Sequence, residues 1–107
     1  MALSITEKKA IRDLNSKLSK SYAVRDFRIF GSKVLGNDVA DSDIDIMILL
    51  ENSSPVIESE IDDLIFEINL KYDCLISAVY FSHYEIEYGP YGESPIYKKA
   101  MVEGIRV

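Results

Sequence analysis

Ile11, Leu14, Leu18 and Tyr22 recur at the spacing of one helical face, with Lys8, Arg12 and Lys17 between them. That period predicts an amphipathic helix near the start of the chain. Ser4 is placed to cap it, and Glu7, three residues on, completes a capping box. From residue 24 the period changes to two. "VRDFRIF" sets Val24, Asp26, Arg28 and Phe30 on one side and Arg25, Phe27 and Ile29 on the other, the pattern of a strand rich in branched and aromatic residues. Gly31 and Ser32 end it, a short turn or helix runs to Gly36, and the polar loop "NDVADS" follows. Residues 43 to 50 then alternate as a second strand. Ile44, Ile46, Ile48 and Leu50 line one face; Asp43, Asp45, Met47 and Leu49 line the other. A strand that is apolar on both faces beyond its first turn is expected at the centre of a sheet with helices on each side. Its two aspartates therefore belong at the mouth of the core.

"SSPVIESEIDDLIFEINLKY" is the clearest helix, capped by Ser54 with Pro55 in the first helical position. Ile57, Ile61, Leu64, Ile65 and Ile68 form its apolar stripe; Glu58, Glu60, Asp62, Asp63 and Glu67 form the wet face. "DCLISAVYF", residues 73 to 81, is expected as a third strand, and "HYEIEYGPYGE" as a turn-rich connection marked by Gly89-Pro90. A last helix begins with Ser94 and Pro95 and stops at Gly104. Helices and strands in this order predict an α/β or α+β domain, a small mixed β-sheet flanked by helices.

Composition narrows the class. A chain of 107 residues with 48% apolar content suits one globular domain, residues 1–107. A formal net charge of −6 disfavours general nucleic-acid binding. It leaves room for a nucleotide held through cations. The single cysteine, Cys74, excludes an internal disulfide and suits a buried strand thiol in a reducing compartment. Neither a signal-peptide core nor a membrane-length apolar run is present, so a cytoplasmic protein without a membrane contact is expected.

Four aspartates (Asp38, Asp41, Asp43, Asp45) fall within eight positions, directly before the apolar run Ile46 to Leu50. Asp43 and Asp45 are two apart on a strand, so their carboxylates point the same way. At roughly 5 Å and an effective dielectric near 20, two such charges repel by about 3 kcal/mol. A cation between them, or a proton on one, relieves that repulsion. Hard oxygen ligands suit Mg²⁺ or Mn²⁺, which commonly shares its shell with substrate phosphates. A plain solvated strand edge is the alternative reading of the pair. Gly31 and Ser32 add a second signal. Glycine allows close backbone approach to a phosphate, the serine hydroxyl can hydrogen-bond one, and Lys33 adds positive charge. Taken alone, the pair reads equally as a tight turn.

Together, Gly31-Ser32, ten intervening residues, and Asp43-x-Asp45, with Gly36 and Ser42 between, resemble the signature of the DNA polymerase β-like nucleotidyltransferase superfamily. The short chain resembles its minimal nucleotidyltransferases, often made beside a HEPN-domain protein. The "YD" at 72–73 and the tail "SPIYKKAMVEGIRV" extend the resemblance over residues 25 to 107, although only residues 31 to 45 are sharply diagnostic. The resemblance implies the polymerase β-like fold. It implies two divalent ions, Mg²⁺ or Mn²⁺, on Asp43, Asp45 and a third acid, for which Asp73 is the candidate at the start of the third strand. It implies ATP or another nucleoside triphosphate bound by Gly31, Ser32, Lys33 and Ser42. It further implies an antitoxin that moves AMP to a tyrosine of a HEPN-domain toxin, with homo- or hetero-oligomers open. Two other readings stand beside it: a small-molecule (antibiotic-type) nucleotidyltransferase, and a catalytically silent module that neutralises a partner by contact. Leu35 departs from the arginine that many minimal members carry there. His83, the only histidine, follows the third strand away from the motif and reads as a surface residue. The seven tyrosines suit core and loop use first and a protein surface second.

Overall fold

A computed structural model describes residues 3–36 and 43–107. Asp38, Asp41 and Ser42 lie outside the described residues, as does the side chain of Leu35. Helix α1 spans Ile5–Ser21. The predicted capping box closes both ways: Ser4 Oγ accepts from the Glu7 N–H at 3.0 Å, and Glu7 Oε1 accepts from the Ser4 N–H at 2.9 Å. Strand β1 covers Val24–Phe30, and the short helix α2, Ser32–Leu35, follows at once. Strand β2 covers Ile44–Leu50, and α3, capped by Ser54, covers Pro55–Tyr72. Strand β3 is Ile76–Ser82, α4 is His83–Tyr88, and a 3₁₀ turn occupies Pro90–Glu93. Helix α5, Pro95–Glu103, and strand β4, Ile105–Arg106, end the described chain.

The sheet is mixed, in the order β3-β2-β1-β4. β1 runs antiparallel to β2 and to β4, while β2 and β3 are parallel and joined by α3 as a crossover helix. β2 is central, as its two apolar faces predict. Ile44, Ile46, Ile48 and Leu50 are buried with Leu14 and Leu18 of α1 and Ile61, Ile65 and Ile68 of α3. Met47 and Leu49 face the other way, into a second cluster with Phe30, Phe81 and Ala100 of α5. Each such side chain stabilises the fold by about 1.5–3 kcal/mol, so the β2 strand that carries the aspartates is the best-anchored element of the sheet.

Three expectations need correction. The third strand begins at Ile76, not at residue 73. Asp73 caps α3 in the left-handed region at φ 51°, and Asn69 then clamps the chain: its Oδ1 accepts from the Ile76 N–H at 2.9 Å and its Nδ2 donates to the Ile76 carbonyl at 3.2 Å. A helix terminus thus takes up residues that alternate like a strand. Cys74 falls in this turn, half-buried, with its thiol 3.5 Å from Asn69 Oδ1. The stretch expected as irregular connection contains α4, because Ser82 caps it through the Glu85 N–H at 3.1 Å. That Ser-x-x-Glu capping signal lies ahead of the Gly-Pro turn.

Candidate active site

Asp45 is the second residue of β2, and its Cα partners are Phe30 on β1 and Ser77 on β3. Asp43 stands just before the strand, exposed, and accepts a hydrogen bond on Oδ2 from the Ser77 hydroxyl at 3.0 Å. The half-buried Asp45 carboxyl is held above its usual range, first by burial and then by the charge of Asp43, with Lys99 of α5 pulling in the opposite direction. The charge of Asp43 therefore reaches Asp45, as their spacing predicts.

Gly31 leaves β1 with φ 81° and ψ −155°, a conformation that essentially only glycine adopts. It is buried, and a Cβ there would stand 2.5 Å from Asp45 Oδ2. The Gly31-Ser32 turn and the Asp43-x-Asp45 pair, twelve residues apart in sequence, therefore meet at one end of the sheet. Ser32 opens α2 and is half-buried.

Lys33 is placed differently from its expected phosphate role. It is 2% exposed, and its ammonium pairs with Glu7 Oε2 at 3.2 Å. Glu7 thus caps α1 with one oxygen and braces α2 with the other, and little of the Lys33 surface is left for a ligand. Asp73 is exposed at the end of α3, before β3 begins. Among the described residues, no group of three or more acids, histidines or cysteines is placed to hold a metal ion. The expected trio with Asp73 is accordingly not assembled there. The residue that β3 sets beside the pair is Ser77, which sequence reading missed; its alternation within the strand is visible, but its register against Asp45 is not. His83 begins α4 at the far end of β3, its ring 3.4 Å from Glu87. A cavity of about 280 Å³ lies elsewhere, lined by Leu3, Lys8, Ile11, Arg12, Ile29, Arg106 and Val107. It contains no acid, and the chemistry of the carboxylate pair is not in it.

Two carboxylates, one of which raises the pKa of the other, fit a divalent cation: the ion would offset their repulsion and favour the charged form of Asp45. The model of the nucleotidyltransferase domain family matches residues 8–105. The chain belongs to that family. Membership indicates nucleotidyltransferase activity, and the family generally uses a nucleoside triphosphate with a divalent metal. This nucleotidyltransferase domain is also similar in fold to a chain from a toxin-antitoxin crystallised with AMP-PNP, at 17% identity and a TM-score of 0.62, over 92% of this chain and 70% of that one. A protein from Sulfolobus solfataricus named as a candidate nucleotidyltransferase matches at 16% identity and a TM-score of 0.53, over 92% of this chain and 76% of that one. No curated protein matches the chain. Among the described residues no helix is long and apolar enough to cross a membrane.

Proposed function

We propose that this domain moves a nucleoside monophosphate, AMP from ATP, to a hydroxyl of a partner protein. In this reading it is the antitoxin of a HEPN-type pair, and the acceptor is a tyrosine of the toxin. The observation that supports the reading is the close approach of Gly31 to the Asp45 carboxylate, which sets the glycine turn and the aspartates at one end of the sheet. Asp43 and Asp45 hold the cation, and Gly31 and Ser32 receive the terminal phosphates. A bound divalent cation supplies charge neutralisation at the reacting phosphate. The acceptor oxygen bonds to the α-phosphorus, the α–β phosphorus–oxygen bond breaks, pyrophosphate leaves with the electron pair, and the hydroxyl proton passes to water. The domain's work is placement and electrostatics. Similarity in fold to a toxin-antitoxin chain supports the partner.

The test is to incubate the domain with Mg²⁺, a HEPN-domain protein and ATP labelled at the α-phosphate. Label should appear on a tyrosine, and Asp43→Asn should abolish it. Equal labelling by the variant would contradict the assignment. The contact-only module is the second reading, favoured by the neutral Ser77 beside the pair; neutralisation of a partner without any label would select it.

A further inference from the structure

We infer that the groove between α1 and β4 docks an extended acidic segment of a partner protein, which adds to the sheet as a strand and places one aliphatic side chain in the cavity. The inference stands apart from the carboxylate site and uses none of its residues. β4 is the outer strand of the sheet, beyond β1. The Val107 N–H donates inward to the Phe27 carbonyl at 3.1 Å. Hydrogen-bonding groups of successive residues in a strand point to opposite edges, so the N–H and C=O of Arg106 point outward. An edge of this kind accepts a further strand, whose main chain gives affinity and whose side chains give specificity.

The side chains beside that edge select the segment. Arg106 pairs with Arg28 and Ile105 with Ile29, and paired residues share a face. Ile105 and Val107 therefore take the α1 face. Arg106 takes the other, where its guanidinium meets Asp26 Oδ1 at 3.3 Å. On the α1 face, the cavity of about 280 Å³ has Ile11 and Ile29, each 2% exposed, as its floor, with Leu3 and Val107 beside them. It has room for a valine-sized side chain. Lys8 and Arg12 complete the lining from α1. They are four residues apart on one helical face, where like charges destabilise each other. Among the described residues no acid forms an ion pair with either, although the chain carries 18 acidic residues. Carboxylates lying along the groove would relieve that repulsion. A second copy is the poorer occupant: symmetric pairing of β4 with β4 sets the same cations against each other.

The experiment is a nuclear magnetic resonance titration of the ¹⁵N-labelled intact chain, without nucleotide or Mg²⁺. The probe is a hexapeptide that alternates acidic residues and threonines, with a valine at one of the acidic positions. Amide shifts should gather at Lys8, Arg12, Ile29 and Arg106, and a peptide with lysine for each acid should produce none. Lys8→Ala and Arg12→Ala keep a good helix former. Each should weaken binding about threefold, and the double variant about tenfold, the scale of exposed ion pairs. Val107→Trp, which fills the cavity from a half-exposed position, should abolish binding, as should N-methylation of the peptide's central amides. Absence of shifts at the groove, or equal shifts with the lysine peptide, would overturn the inference. Equal shifts with isovalerate alone would reassign the cavity to a small organic anion and overturn it too, as would concentration-dependent broadening of β4 without peptide, the mark of a second copy. Asp43→Asn should bind the peptide like the wild type, so failure here leaves the proposed transfer standing, and failure of transfer leaves the groove.

Discussion

Gly31 and Asp45 are in contact so close that a methyl group on residue 31 would collide with the carboxylate, 2.5 Å from Oδ2. The relationship explains why a glycine is needed there twice over. Its backbone lies where side chains are disfavoured, and its missing side chain is the space that Asp45 fills. Gly31→Ala should therefore cost about 1–3 kcal/mol of stability from backbone strain alone. It should also weaken nucleotide binding, because relieving the clash displaces Asp45. Urea denaturation and a nucleotide titration on the same variant check both parts. A fully stable variant would show that the turn is not constrained as described.

Asp45 gives the domain a predictable response to pH. Its carboxyl is raised above the ordinary 3.8 by burial and by Asp43. A raised acid holds its proton more tightly in the folded state than in the unfolded one. Its contribution to stability is therefore complete below the unfolded value and lost as pH rises through the folded one. In EDTA at neutral pH, Asp45→Asn should melt higher than the wild type. The gap should close as pH falls toward the carboxylate range, and added Mg²⁺ with nucleotide should stabilise only the wild type. Melts across pH check the sign; an Asn variant less stable at neutral pH would reverse it.

The Glu7–Lys33 pair links α1 to α2, and through α2 to the turn that meets Asp45. Removing one partner of a buried pair leaves an uncompensated charge, typically at a cost of about 3–5 kcal/mol. Lys33 has other interactions besides Glu7, so Glu7→Ala should cost somewhat less, about 2–3 kcal/mol, including its half of the capping box. Chemical denaturation measures it. A change under about 0.5 kcal/mol, the size of an ordinary surface substitution, would show that the brace is not structural.

Asp73 offers the clearest separation of sequence expectation from structure. As a helix cap at φ 51°, it should tolerate glycine. Asp73→Gly should gain up to about 1 kcal/mol by removing the left-handed penalty, and should leave nucleotide binding unchanged. Loss of Mg²⁺-dependent nucleotide binding in this variant would restore it to the site.

Much of this was legible in the residues. The α1 capping box, the bounds of β1, the central β2 and the caps of α3 and α5 all follow from local pattern, because hydrophobic period and cap chemistry act over a few residues. The meeting of Gly31 with Asp45 was implied by a motif and by strands that had to pair. What local pattern does not carry is register and competition. Residues 73–75 alternate like strand, yet Asn69 claims the Ile76 backbone and the helix end absorbs them. Lys33 reads as a positive charge for a phosphate until the fold brings Glu7 of α1 to it. Ser77 becomes part of the site only once β3 is laid beside β2 in one register. β4 is two residues long, and its partners on β1 are more than seventy positions away.

The measurement that tests the central claim most directly is a thermal melt of the intact chain with ATP, GTP, CTP and UTP, each with and without Mg²⁺, in the wild type and in Asp43→Asn. A ligand at a hundred times its dissociation constant stabilises the native state by about 2.7 kcal/mol. The account predicts a Mg²⁺-dependent upward shift with at least one nucleotide that disappears in Asp43→Asn. The same shift in the variant, or a shift indifferent to Mg²⁺, would contradict it.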